Sequence, residues 1–193
     1  EVKAIIAAIG AGIGPEFNVD DMRYHRVVIF VDADVVVHPD AIARVLDAFA
    51  RDAELAALFG SYDETPDERN FLSQYKNLLH HYVHQTGSED ASTFWAGCGA
   101  IRRKVFLEMG GFDEKLYRYP SIEDIELGYR LRRAGHRIWL NKALQGTHLK
   151  RWGAVSLLKA DFFQRALPWT ELILRDRQFI NDLNLDRSSR ASV

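Results

Sequence analysis

The chain has 193 residues, is 47% hydrophobic and 27% charged, and carries a formal net charge of -2, which is the balance of one ordinary globular domain with a real core. That charge excludes binding nucleic acid through a broad basic surface. Its single cysteine, Cys98, excludes an internal disulfide and a zinc–thiolate cluster.

Residues 1–9, EVKAIIAAI, have helical composition and stop at Gly10, after which GAGIGPEF reads as loop. No apolar run reaches the roughly eighteen residues of a membrane span, and no basic-then-apolar leader precedes this segment, so the expectation is a soluble or peripheral chain. Val27 to Val31 form a β-branched and aromatic run, as in a strand buried on both faces of a parallel sheet. Asp32 and Asp34 follow at its carboxyl end, where open α/β sheets bind ligands. Were the strand to continue, they would share a face and repel, so a cation is expected between them. Two such carboxylates suit Mg²⁺ or Mn²⁺, whose remaining positions go to phosphate oxygens and water, with a diphosphate as the natural partner.

Pro39 suits a helix's first turn, and Ile42, Val45, Leu46 and Phe49 follow at helical spacing. A strand near 55–61 completes a strand–helix–strand unit. Residues 68–86 read as a helix with the stripe Phe71, Tyr75, Leu78 and Tyr82, closed by Gly87. His80 and His84 share a face of that helix, but His81, Tyr82 and Val83 stand where a zinc protease needs its glutamate, so packing or surface roles are expected.

The segment 94–103, FWAGCGAIRR, reads as a strand, with Gly97 and Gly99 allowing close approach of backbone to a ligand or tight core packing. A short helix over 104–109 precedes Gly110 and Gly111. A longer helix runs from Ser121 to Gly135, where Ser121-x-x-Asp124 is a capping box. Its carboxylates Glu123 and Asp124 are also candidates for general-base work beside a crevice. Arg130, Arg132, Arg133 and Arg137 read as a solvated basic face. A strand over 136–140 leads to His148, and two amphipathic pieces follow, 155–167 and 169–180, before a polar tail over 185–193 that is expected to be frayed. Trp169, Leu172 and Ile173 suit either packing back on the core or lying on lipid.

The ordered set VDADVVVHPDAI, FWAGCGAIRRKVFLEMGGFDE, SIEDIELGYRLRRAGHRIWL and THLKRW resembles the second half of a family 2 glycosyltransferase, over residues 31–184. The resemblance implies a Rossmann-like GT-A type fold, α/β with a mostly parallel sheet flanked by helices and incomplete at its N-terminal nucleotide-binding half. It further implies transfer of a sugar from a nucleotide-sugar donor to an acceptor hydroxyl, a glycan, lipid or small molecule, with inversion. By the same resemblance, Asp32, Asp34 and His148 would hold the metal and diphosphate, Asp124 would be the base, and Glu123 would shape the acceptor site. Trp95, Ala96 and Gly97 would form the loop between sugar and acceptor. Arg151 and Trp152 match the Arg-Trp of the Gln-x-x-Arg-Trp motif of processive members, with His148 in place of the glutamine. A cytoplasmic location, at the membrane face, is the family's habit.

Residues 1–35 resemble the Toprim segment of DNA gyrase B, in which an Asp-x-Asp binds Mg²⁺ for DNA cleavage. That pattern would continue with another aspartate and a glycine, where Val36 and Val37 stand. The expectation is therefore two families meeting at a shared motif: a Toprim-like helix and strand over 1–31, then a glycosyltransferase-like domain over 32–184. Two other functions stay open, a catalytically dead metal- or nucleotide-binding module and a Toprim-type topoisomerase fragment acting on DNA.

Overall fold

The computed structural model describes residues 4–8 and 26–176; the frayed-tail expectation for 185–193, the loop of 10–17 and the last residues of the second tail helix lie outside them. In chain order the described elements are β1 (Ala4–Ala8), β2 (Val27–Val31), β3 (Val35–Val37), α1 (Ala41–Arg51), β4 (Leu55–Tyr62), α2 (Phe71–Thr86) and β5 (Cys98–Arg102). There follow α3 (Arg103–Glu108), α4 (Glu123–Arg133), β6 (Arg137–His148), α5 (Ala154–Lys159), a π-helical segment (Ala160–Ala166) and α6 (Leu167–Asp176).

The strands form one sheet in the order β1-β2-β5-β4-β6-β3. It is α/β but mixed, which corrects the expectation of a mostly parallel sheet: only β4 and β6 pair parallel, and the other pairings are antiparallel. β2 and β4 do run the same way, as a strand–helix–strand unit requires, but β5 enters between them in the opposite sense. The continuous apolar runs that read as parallel strands report burial on both faces, and burial does not depend on strand direction. β1 corrects a second expectation. Residues read as helix from composition instead pair along the edge of β2, Ala4 to Val31 through Ala8 to Val27, because an unpaired edge presents a ladder of donors and acceptors to any extended neighbour.

Side chains alternate across β2. Val27, Ile29 and Val31 join Val45, Phe49 and Leu58 in the core under α1, whereas Val28 and Phe30 join Phe59, Phe94, Ile101, Leu127 and Leu140 in the core under α3 and α4. A third cluster, Ile122, Tyr129 and Leu172, fastens α6 to α4, and the Trp169 indole N–H donates to the Tyr129 hydroxyl at 3.0 Å. Trp169 and Leu172 thus pack back on the core rather than lie free for lipid.

Each arginine of the basic face has a carboxylate. Arg130 pairs with Glu126, Arg132 with Asp90, Arg133 with Asp176 and Arg137 with Asp52, so the cluster is a set of local ion pairs and not a bare cationic patch. Among the described residues no helix is long and apolar enough to cross a membrane.

Candidate active site

Three strands that run in one direction, β2, β4 and β6, bring their carboxyl ends to one cavity of about 480 Å³. β2 delivers Asp32 and Asp34, β4 delivers Tyr62, and β6 delivers His148; the start of α4 adds Glu123 and Asp124, and the loop before β5 adds Trp95. Three of the four tryptophans, Trp95, Trp152 and Trp169, line it.

Asp32 and Asp34 do not continue the strand. Residues 32–34 form a turn between β2 and β3, closed by the Val35 N–H donating to the Asp32 carbonyl at 3.0 Å, so the same-face geometry expected of an extended run is replaced by a tight corner. β3 then pairs Val35 with His148, which sets Asp34 Oδ2 3.8 Å from His148 Nε2 and 3.7 Å from Lys150 Nζ. The His148 imidazole beside it, with Lys150 adding its charge, outweighs burial and holds the Asp34 carboxyl below the usual carboxylate range.

Beneath this corner lies a column of rings. His148 stacks on Tyr62 at 4.2 Å and 7°, Tyr62 meets His80 at 4.3 Å, and His80 meets His84 at 3.9 Å, with Trp95 against His80 at 4.5 Å. Burial drives the Tyr62 hydroxyl well above its ordinary value, and Asp32 and Asp34 push it further. Burial also pushes His84 down to about 4 and His80 well below the ordinary imidazole value. His84 packs with its Nδ1 2.8 Å from the Gly60 carbonyl, and His80 and His84 both line the cavity. Cys98, buried with its thiol pushed up to about 12, supplies no nucleophile.

The capping box read at Ser121 and Asp124 does not form. Ile122 precedes the first helical residue, the Glu123 carboxylate accepts the Ser121 N–H at 2.7 Å, and Ser121 Oγ donates to the Gln164 carbonyl at 2.8 Å. Asp124 turns the other way. Its Oδ2 accepts the Ala96 N–H at 2.9 Å and its Oδ1 the Ile125 N–H at 2.8 Å. These two backbone bonds fix the orientation of the carboxylate.

Trp95-Ala96-Gly97 is where the two acidic motifs meet. As Ala96 donates to Asp124, the Gly97 carbonyl accepts the Asp32 N–H at 3.0 Å, so two consecutive residues hold both motifs in one frame. Trp95 lines the cavity; Ala96 and Gly97 act through backbone. The space a Gly97 side chain would fill is taken by the Trp95 indole, 2.4 Å from an added Cβ, so this glycine admits a folded-back tryptophan rather than a ligand.

Trp152 also lines the cavity, buried, its N–H donating to Ser73 Oγ at 2.7 Å and its carbonyl accepting Asn70 Nδ2 at 2.7 Å. Arg151 is not brought in: its side chain is 74% exposed and pairs with Glu68 at 3.5 Å. Sequence reasoning missed Tyr62, Lys76 and Arg165 as lining residues. Tyr62 had a usable signal, its place at the carboxyl end of a buried strand, as with Asp32; Lys76 and Arg165 had none, because only the assembled fold brings them to the cavity.

Comparison with known proteins gives two results of unequal reach. A 35-residue segment, 18% of the chain, is 60% identical to the DNA gyrase B protein of Archaeoglobus fulgidus and 51% identical to those of Mycoplasmoides gallisepticum and Treponema denticola. It spans only 5% to 6% of the length of those relatives. The model of the family described as glycosyltransferase like family 2 matches residues 3–157, running through the gyrase-like beginning and every site element up to α5. The chain belongs to that glycosyltransferase family.

Proposed function

We propose that the cavity binds a nucleotide-sugar donor by its diphosphate and transfers the sugar, with inversion, to an acceptor hydroxyl. The observation that supports this most is the Trp95-Ala96-Gly97 link, which holds the Asp32 corner and the Asp124 carboxylate in register on one cavity.

Asp32, Asp34 and His148 offer two carboxylates and an imidazole, a donor set fit for Mg²⁺ or Mn²⁺. Among the described residues no three His, Cys, Asp or Glu side chains close a cage by themselves, which suits a cation that shares its shell with substrate phosphates. When bound, the cation would neutralise charge on the leaving diphosphate. Asp124, oriented by two backbone amides, accepts the acceptor's hydroxyl proton as that oxygen bonds to the sugar's anomeric carbon from the side opposite the diphosphate. The bond from that carbon to the phosphate oxygen breaks, and its electron pair leaves with the diphosphate. Glu123 shapes the acceptor's entry, and the indole of Trp95 provides an apolar face against the sugar.

The direct test is Asp124→Asn, assayed with Mn²⁺ against nucleotide-sugars while reading the product anomer by NMR. Loss of about 10²- to 10⁴-fold in turnover, with donor KM little changed, is expected of a missing base; unchanged turnover would assign the base elsewhere. If the unaltered chain binds donor and leaves it intact, the catalytically dead binding module is the correct alternative. A topoisomerase-like action on DNA has Asp32, Asp34 and the short gyrase-like segment in its support, while Arg130, Arg132, Arg133 and Arg137 are all paired with carboxylates. In the same reading the gyrase-like beginning is a junction of two families, and the protein works on the cytoplasmic side. Peripheral contact with a membrane face there would rest on the exposed Leu158, Phe162 and Phe163.

A further inference from the structure

The π-helical segment Ala160–Ala166 crosses the cavity between two anchors. Lys76 of α2 pairs with Asp161 at 2.5 Å, and Ser121, in the loop before α4, donates to the Gln164 carbonyl at 2.8 Å. A π-turn holds more residues than an α-turn, so it redirects the side chains within it, and such turns gather at functional sites. Arg165, an exposed residue of that segment, lines the cavity, and its charge is felt at Tyr62, Lys76 and His80. Lys76 already neutralises Asp161, and no carboxylate of the described residues forms an ion pair with Arg165. The cavity meanwhile carries Asp32, Asp34, Glu123 and Asp124, which repel a diphosphate unless cations offset them.

The arginine that the sequence motif points to is held out of the cavity. Trp152 lines the cavity with its backbone held by Asn70 and Ser73, whereas the Arg151 side chain pairs outward with Glu68. We propose that Arg165, carried by the π-helical segment, is the guanidinium that grips the donor's diphosphate in this chain. A guanidinium offers two parallel N–H donors to phosphate oxygens, and its planar fork suits that contact better than an ammonium.

The assignment rests on the donor-binding reading above, and a binding experiment separates the two. Pyrophosphate and the four common nucleoside diphosphates, each with Mn²⁺, are titrated calorimetrically into the full chain and its Arg165→Ala, Arg165→Lys and Arg151→Ala variants, with circular dichroism checking the fold. Arg165→Ala should weaken diphosphate binding by about tenfold or more, the size of one charge-assisted contact. Arg165→Lys should recover part of that loss, and Arg151→Ala should stay within about twofold of the unaltered chain. Binding that survives Arg165→Ala, or falls as far in Arg151→Ala, overturns the assignment and leaves donor binding standing. Failure of the unaltered chain to bind any of these probes overturns both.

Discussion

Helices α1 and α2 lie on either side of β4 in the chain and bury opposite chemistries. α1 buries Ala41, Val45, Ala48 and Phe49. α2 buries Ser73, Asn77 and His84, while its apolar stripe of Phe71, Tyr75, Leu78 and Tyr82 faces solvent, Phe71 with 78% of its surface exposed. The difference follows from what each helix covers. α1 lies on a sheet face, where strand backbones bond each other and only side chains need cover. α2 lies over the end of β4, where the ladder with β6 shifts register between Phe59 and Ser61 and then stops. Carbonyls left there need donors, and α2 supplies them: the His84 ring at Gly60, the His81 ring at Tyr62, and Asn77 Nδ2 to the Asp63 carbonyl at 2.8 Å. Beside a site the core includes a layer of hydrogen-bond donors, because buried backbone groups must be paired.

The comparison can be broken first on its apolar side. Phe49→Ala should cost about 3–5 kcal/mol of stability, the range for emptying an aromatic site in a packed core. Chemical denaturation would show it, and Mn²⁺–diphosphate binding below the midpoint should be little altered because no residue of α1 lines the cavity. Asn77→Ala tests the polar side. It strands the Asp63 carbonyl and should cost about 1–3 kcal/mol, although a sequence-based hydrophobic count would score the change as favourable.

The smallest effect separates the helices by pH. His84 in the folded chain takes its proton only near pH 4, whereas an unfolded histidine takes it near the ordinary value of 6.5. The unfolded state therefore binds more protons between those values, so His84's contribution is complete above about 6.5 and is lost as pH falls toward 4. From pH 7 to 5.5 the loss is about 1 kcal/mol from this residue alone. Thermal melts across that range should decline in the unaltered chain and decline less in His84→Gln. The residues that α1 buries are all apolar and contribute no such slope.

Much of the site was legible residue by residue but not in its connections. Asp32, Asp34, Trp95, Glu123, Asp124, His148 and Trp152 all reach the cavity that their motifs suggest. What local pattern misread was direction. Asp124 in a capping-box position bonds to a strand loop, Asp32 and Asp34 turn a corner, and Arg151 faces away where Arg165 faces in. For Asp124 and Arg151 a partner distant in sequence outcompeted the local arrangement, as when the Ala96 amide takes the oxygen meant for a cap.

By itself the sequence determined that β2 and most of β4 are apolar strands buried on both faces, that another strand opens near residue 137, that α1 has one oily face, and that acidic, aromatic and imidazole groups follow these elements. Those are properties of composition and period, which act over a few residues. Only the tertiary structure decided that β5 enters the sheet against β2 and β4, that α2 turns its polar face inward, and that a π-turn carries Arg165 to the cavity. Strand order and helix facing depend on which backbone groups remain unpaired once the chain is assembled, and no local window contains that information.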